Sequence, residues 1–349
     1  MIATITQEAL ASVSPNSEFS QLRRIIKRQG LLEKQPAYYT FKIVSSVAML
    51  MGSIAFLFLV DNFWLQLVNA AFLAIALTQT SFLGHDSGHR QIFRSTKLND
   101  WTMLGVCFLV ALDRTWWLDK HNRHHANPNH EGLDDDINVT VVSFSESQAL
   151  ARKGIIRWIT KYQAYLFFPM LMLTGVSMRG AGITHLATNL RRSKYGYLEL
   201  VLIAAHLSTY LAIVWFAFGP WWHSVLFVVV NQMLLGLYMG SVFAPNHKGM
   251  LVVEEGSKLD FLRSQVLTSR NVRPSRFADF WYGGLNYQIE HHLFPVMPRN
   301  RLREAQPVVK QFCEEHGVSY HETGNWQSLR EIAGYLHKVS APLRVRPTA

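Results

Sequence analysis

The sequence predicts an all-α integral membrane protein: four transmembrane helices in two hairpins, with a cytoplasmic helical cap that holds a metal site. Three observations carry this. First, no Lys or Arg lies between Lys42 and Arg90, and none between Lys194 and Lys248. Each gap holds two crossings at about 20 apolar residues per crossing. Second, the basic residues flank these gaps: Arg23, Arg24, Lys27, Arg28, Lys34 and Lys42 before the first, Arg90, Arg94 and Lys97 after it, Arg191, Arg192 and Lys194 before the second, and Lys248 after that. Positive charge marks the cytoplasmic side, so both termini and the central loop belong there. Third, clustered histidines begin where the apolar segments end on that same side.

The spans read as Ile43–Val60, Phe63–Leu83, Leu198–Phe218 and Trp222–Phe243. The hairpin turns, Asp61-Asn62 and Gly219-Pro220-Trp221, carry no Lys or Arg, and Trp64, Trp215, Trp221 and Trp222 form an aromatic belt at the outer interface. Trp101–Leu112 is too short to cross, at roughly 18 Å of helix against a core of about 30 Å. Ile155–Gly175 contains Arg157, Lys161 and Pro169, which fits a helix lying in the interface. Helical periodicity returns around Leu302–Glu314 and Trp326–Leu336. The whole is one domain: segment 1–42, hairpin 43–83, loop 84–197, hairpin 198–243 and cap 244–349. The first residues show no basic stretch followed by an apolar core, so no cleaved signal peptide is expected. Cys107 and Cys313 fit no disulfide or metal spacing. The net charge of +10 forms no compact basic patch interleaved with aromatics, which speaks against nucleic acid and for a membrane partner.

Eight of the 15 histidines form a pattern. His85 and His89 stand in a GHDSGH stretch, His121, His124 and His125 in HNRHH, His247 just beyond the fourth span, and His291 and His292 in QIEHH. Residues three and four apart share a helix face. A single tetrahedral ion takes three or four ligands, so eight imidazoles suit two ions, each keeping an open position. Imidazole suits iron, copper, zinc or nickel; iron would activate oxygen, and the ligands alone do not exclude zinc. Gln288 shares a face with His291 and His292 and is expected to act at the site, as a weak oxygen ligand or a hydrogen-bond partner to bound water. Asp134, Asp135 and Asp136 either orient imidazoles or form a solvated acidic turn. His130 is a lesser candidate, while His185, His206, His223, His316, His321 and His337 read as ordinary surface or packing residues, and Gln79 as a packing residue.

In order and spacing, HDSGH, HNRHH and QIEHH resemble the three histidine boxes of the membrane fatty acid desaturases. The resemblance runs from about His85 to Pro295. It implies a four-helix fold under a cytoplasmic cap, with two irons held by His85, His89, His121, His124, His125, His247, His291 and His292. It further implies oxygen as cosubstrate, two external electrons, and removal of hydrogens from adjacent methylenes of a threaded acyl chain. Gln288 at the head of the third box, with HHLFP after it, resembles the front-end and acyl-lipid branch. That branch inserts a double bond between an existing one and the carboxyl end. Two departures stand out. No heme-binding HPGG motif is present, so a separate donor (a ferredoxin, cytochrome b5 or a reductase) is expected, and Phe243 stands where acyl-CoA members have an Asn four residues before the lone His. The substrate would be lipid-, CoA- or carrier-linked, and the expected location a bacterial plasma membrane. The competing readings are a hydroxylase or monooxygenase of the same histidine-rich superfamily, and a non-catalytic metal transporter or heme-binding membrane protein.

Overall fold

The computed structural model describes residues 17–257 and 259–344; most of the stretch read for a signal peptide lies outside them. The chain begins with helix α1 (Ser17–Arg28), then α2 (Pro36–Leu59) and α3 (Phe63–Gly88), which form the first hairpin. Helices α4 (Thr96–Val110) and α5 (Arg114–Ala126) follow, then α6 (Glu146–Ala151), α7 (Gly154–Lys161), α8 (Gln163–Met170) and α9 (Thr174–Asn189). The second hairpin is α10 (Gly196–Ala217) and α11 (Trp221–His247). The remaining chain holds α12 (Phe261–Leu267), β1 (Asn271–Val272), α13 (Arg276–Trp281), α14 (Gln288–Leu293), α15 (Arg299–Glu315), β2 (Glu322–Thr323) and α16 (Asn325–Val339). The two strands pair in parallel, Asn271 opposite Glu322.

Side chains local to the turn lock the first hairpin. Asn62 Oδ1 accepts from the backbone N–H groups of Trp64 and Leu65, starting α3. Gln66 Nε2 donates to the carbonyls of Phe56 and Val60 at the end of α2. One turn on, Ser53 Oγ donates to Asn69 Oδ1. Gln66, Ser53 and Asn69 are buried and paired, which satisfies the polar groups within the hairpin.

Helix α3 is the axis of the bundle, packed by α2, α4 and α11. Helices α2 and α10 lie outside and turn apolar side chains outward: Val44, Met51 and Phe58 from the first, Val201, Leu211 and Phe216 from the second. An apolar surface of this extent calls for a lipid partner. The four expected spans are all helical, and α3 and α11 run on through His85 and His247. A fifth run, Gln163–Asn189, is also long and apolar enough to cross. The interfacial helix expected at Ile155–Gly175 is therefore a broken rod: α7, α8 and α9 are separate, with a 3-10 turn at Leu171–Leu173. Its far half carries a weak sequence signal because Gly175, Gly180 and Gly182 lower helix propensity. Packing on α11 overrides that: a Cβ at Gly236 would lie 2.2 Å from the Met172 carbonyl oxygen, so only glycine lets the turn nest there.

Candidate metal centre

Four helices bring the eight histidines together. His85 lies in the last turn of α3, and His89 caps that helix, its N–H bonding to the His85 carbonyl at 3.1 Å. His121, His124 and His125 share α5, His247 ends α11, and His291 and His292 lie on α14. They fall into two lobes, His85, His89, His121 and His291 in one, His124, His247 and His292 in the other. His125 lies between, its Nε2 3.1 Å from His121 Nε2 and its ring stacked 4.2 Å from that of His292.

The spacing of the nitrogens tests whether metal fits. Nε2–Nε2 separations are 2.8 Å for His89–His121, 3.2 Å for His85–His291, 3.2 Å for His124–His247 and 3.1 Å for His247–His292. Two nitrogens bound at about 2.1 Å to one ion and at right angles lie about 3.0 Å apart. A proton can bridge only one such pair, yet His121 and His247 each face two other imidazoles at that range. Burial first, and then the neighbouring rings, holds His121, His125, His291 and His292 well below the usual imidazole range. They are neutral, with lone pairs free to ligate. The residues fit two ions.

Outer partners fix four of the eight rings, as is usual for metal-binding imidazoles. Asp134 Oδ2 meets His124 Nδ1 at 2.9 Å, the Thr268 carbonyl accepts from His247 Nδ1 at 3.0 Å, Gln265 Oε1 from His292 Nδ1 at 2.9 Å, and Asp86 Oδ1 lies 3.2 Å from His85 Nδ1. Each turns Nε2 toward the centre. Burial pushes the Asp134 carboxyl up, but His124, Lys248 and the N–H of Asn129 outweigh it and hold it at about 2. Asp134 and Asp136 thus belong to the site, whereas Asp135 pairs with Arg123 in solvent. Asp134→Asn is expected to weaken metal retention by about 10–100-fold, read by competitive chelation of the purified protein.

Several functional contacts carry no local sequence signal. Arg299 Nε lies 2.8 Å from Asp86 Oδ2, both side chains nearly out of solvent. Trp117 stacks 4.2 Å from His121, and Gly88 makes room for it, since a Cβ there would lie 2.6 Å from the indole. Glu290 is buried between Asn271 and Tyr320 at 2.7 and 2.8 Å, and burial raises its carboxyl to about 7.

The lesser candidates fall away from the centre. His130 Nε2 reaches only Ser264, at 3.4 Å. His223 stacks on Phe63, His206 lies beside Phe108 and Tyr210, His185 approaches Asp119, His316 bonds Phe312, His321 meets Glu331 and His337 lies near Tyr165. Gln79 donates to the Tyr238 hydroxyl and the Phe280 carbonyl, which is a packing role. Cys107 and Cys313 are buried and free.

A cavity of about 250 Å³ runs beside both lobes. Its lining brings His85, His121, His247, His291 and Gln288 together with the apolar Met103, Val106, Met178, Met239 and Val242 and the charged Asp113, Arg114, Lys120 and Asp136. Phe243, four residues before His247, lines it too. Fold and site together define a helical membrane protein built around a polyhistidine centre able to hold two metals against a largely apolar cavity.

The chain belongs to the fatty acid desaturase family, whose model matches residues 62–324. It is 31% identical to the Delta(6)-fatty-acid desaturase fat-3 of Caenorhabditis elegans, over 86% of this chain and 70% of the nematode protein. It is 29% identical to the acyl-lipid (9-3)-desaturase of Physcomitrium patens, over 90% of this chain but only 62% of the moss protein. A third relative, the Delta(8)-fatty-acid desaturase of Euglena gracilis, is 27% identical over 91% of this chain and 78% of its own length. These relatives agree with the branch that Gln288 and HHLFP suggested. They are eukaryotic, so they lend the expected bacterial location no support.

Proposed function

We propose that the chain is an oxygen-dependent acyl desaturase of the front-end type, with two irons held by His85, His89, His121, His124, His125, His247, His291 and His292. The observation that carries this is the two-lobed imidazole centre lining a largely apolar cavity. Iron bound there would supply oxygen activation. The reaction balances as –CH2–CH2– plus O2, two electrons and two protons, giving –CH=CH– and two waters. The chain's own part is placement: the apolar lining excludes water and holds one pair of near-identical methylenes against the histidines. Expression in a host of defined fatty acid content, with lipid analysis locating any new double bond, tests the reading; an unchanged lipid profile with metal-loaded protein present would refute it.

The proposed topology is four crossings with every histidine group on the cytoplasmic side. The fifth apolar run is supported as a non-crossing segment by its ends. Gln163 Nε2 donates to the carbonyls of Ser143 and Leu336, in the cluster that includes Ala244 near the end of α11. Beyond α9, Lys194 reaches Asp100, which Arg90 also approaches just after His89. Both ends thus return to the histidine side. The two electrons are proposed to come from a ferredoxin, cytochrome b5 or reductase.

Gln288 is proposed to act at the metals. Its amide nitrogen lies 2.9 Å from His247 Nε2, and Asn246 Nδ2 donates to its oxygen at 3.0 Å, while Asn246 Oδ1 is buried without a partner. Turning both amides over pairs Asn246 Oδ1 with the Gln288 N–H and points Gln288 Oε1 into the centre, an equivalent fit by shape. Gln288→Ala is expected to cut desaturation severely in protein that stays folded. Gln288→His should keep iron but lower activity or shift the double bond. Wild-type product and iron content from Gln288→Ala would show that Gln288 only packs there.

A further inference from the structure

The part of the chain after α11 is not wholly a cap standing clear of the bundle. Helix α13 is pinned to the flank of α3 and α11, two of the helices that carry the histidines. The Phe280 carbonyl accepts from Gln79 Nε2 at 2.9 Å, Trp281 Nε1 donates to Ser241 Oγ at 3.0 Å, and the Trp281 ring stacks 4.0 Å from Tyr238. Gln79 lies six residues before His85, and Ser241 six before His247. At about 1.5 Å per residue these anchor points sit about 9 Å along the helices from the metal-side ends, toward the membrane.

At that level α13 turns large apolar groups outward. Phe277 is 60% and Phe280 43% exposed, and Trp326, joined to the patch through the Tyr282–Asn325 hydrogen bond, is 78% exposed. Around them Arg273, Arg276 and Arg330 are exposed, and none forms a side-chain ion pair among the described residues. Aromatic rings beside unpaired cations are the composition of a segment seated at the headgroup boundary of an anionic bilayer.

We propose that α13, with the start of α16, is an interfacial anchor that seats the C-terminal part of the protein on an anionic lipid surface. The occupant is the bilayer rather than a protein, because the patch continues the apolar flank of α3 and α11 and its free charges are all positive. Seated there, α13 also sets the cavity against the membrane: Phe82 and Leu285 line the cavity and pack in one cluster with Ala278 and Tyr282. The proposal rests on reading α3 and α11 as spans and is independent of the reaction.

The test uses full-length metal-loaded protein in nanodiscs of phosphatidylcholine, with or without phosphatidylglycerol. An environment-sensitive fluorophore is placed by Phe277→Cys, by Phe58→Cys on α2, and by Gln311→Cys on α15. Brominated lipid is expected to quench the probes at 277 and 58 to a similar degree and to spare 311. Phosphatidylglycerol should deepen the quenching at 277, and Arg276→Ser should remove that gain. A probe at 277 as wet as that at 311, with 58 quenched, would overturn the anchor and leave the spans intact. Shielding at 277 without lipid quenching would assign the face to a protein instead, and an unquenched 58 would sink the spans and the anchor together.

Discussion

His247→Ala is expected to abolish desaturation while leaving the helical bundle in place. His247 Nε2 lies 3.2 Å from His124 Nε2 and 3.1 Å from His292 Nε2, so it is the shared vertex of one metal lobe. It is also the point where α11 meets the Gln288 amide, 2.9 Å away. Removing it takes one of three imidazoles from that lobe and both contacts at once. The loss of metal there should exceed the roughly 10–100-fold typical of removing an outer partner such as Asp134. The other lobe, His85, His89, His121 and His291, keeps its ligands, so metal per chain should fall by about half rather than vanish. Because His247 is the last residue of α11, the far-ultraviolet signature of the helices should not change. Wild-type metal content with full product would contradict the ligand assignment.

Arg299→Met should have the largest effect on stability. The Arg299 guanidinium meets Asp86 at 2.8 Å, and the side chains are 4% and 2% exposed. Asp86 in turn meets His85 Nδ1. Removing one partner of a buried ion pair leaves the other charge without compensation, at a cost of about 3–5 kcal/mol. Metal-free protein should therefore unfold at distinctly lower temperature. Adding Asp86→Asn to Arg299→Met removes the stranded charge and should recover much of the loss, because the pair is defined by charge rather than shape. A single variant as stable as the parent would show that the Asp86 charge is compensated without Arg299.

These two predictions mark what was and was not readable along the chain. The absence of Lys and Arg between Lys42 and Arg90 located α2 and α3, because a charge in hydrocarbon is costly enough to leave a gap visible to the eye. The eight histidines were visible because ligation needs one residue type at helical spacing. The acidic triplet Asp134–Asp136 reads the same in sequence whether it faces solvent or an imidazole. Arg299 and Asp86 lie 213 residues apart, and nothing periodic links them. Gln265 and Thr268 are equally silent, because the atoms they offer matter only once α12 is folded against α14 and the end of α11. The run through α9 was cut short at Gly175, where local propensity argues for an end but the neighbouring α11 surface accepts small residues.

The most direct test of the central claim is the mass of the product formed by purified, iron-loaded protein given an acyl lipid, oxygen and an electron donor. The account predicts a product lighter than the substrate by two hydrogens, formed only with iron present at two ions per chain. A product heavier by one oxygen, or turnover by protein holding zinc and no iron, would contradict it.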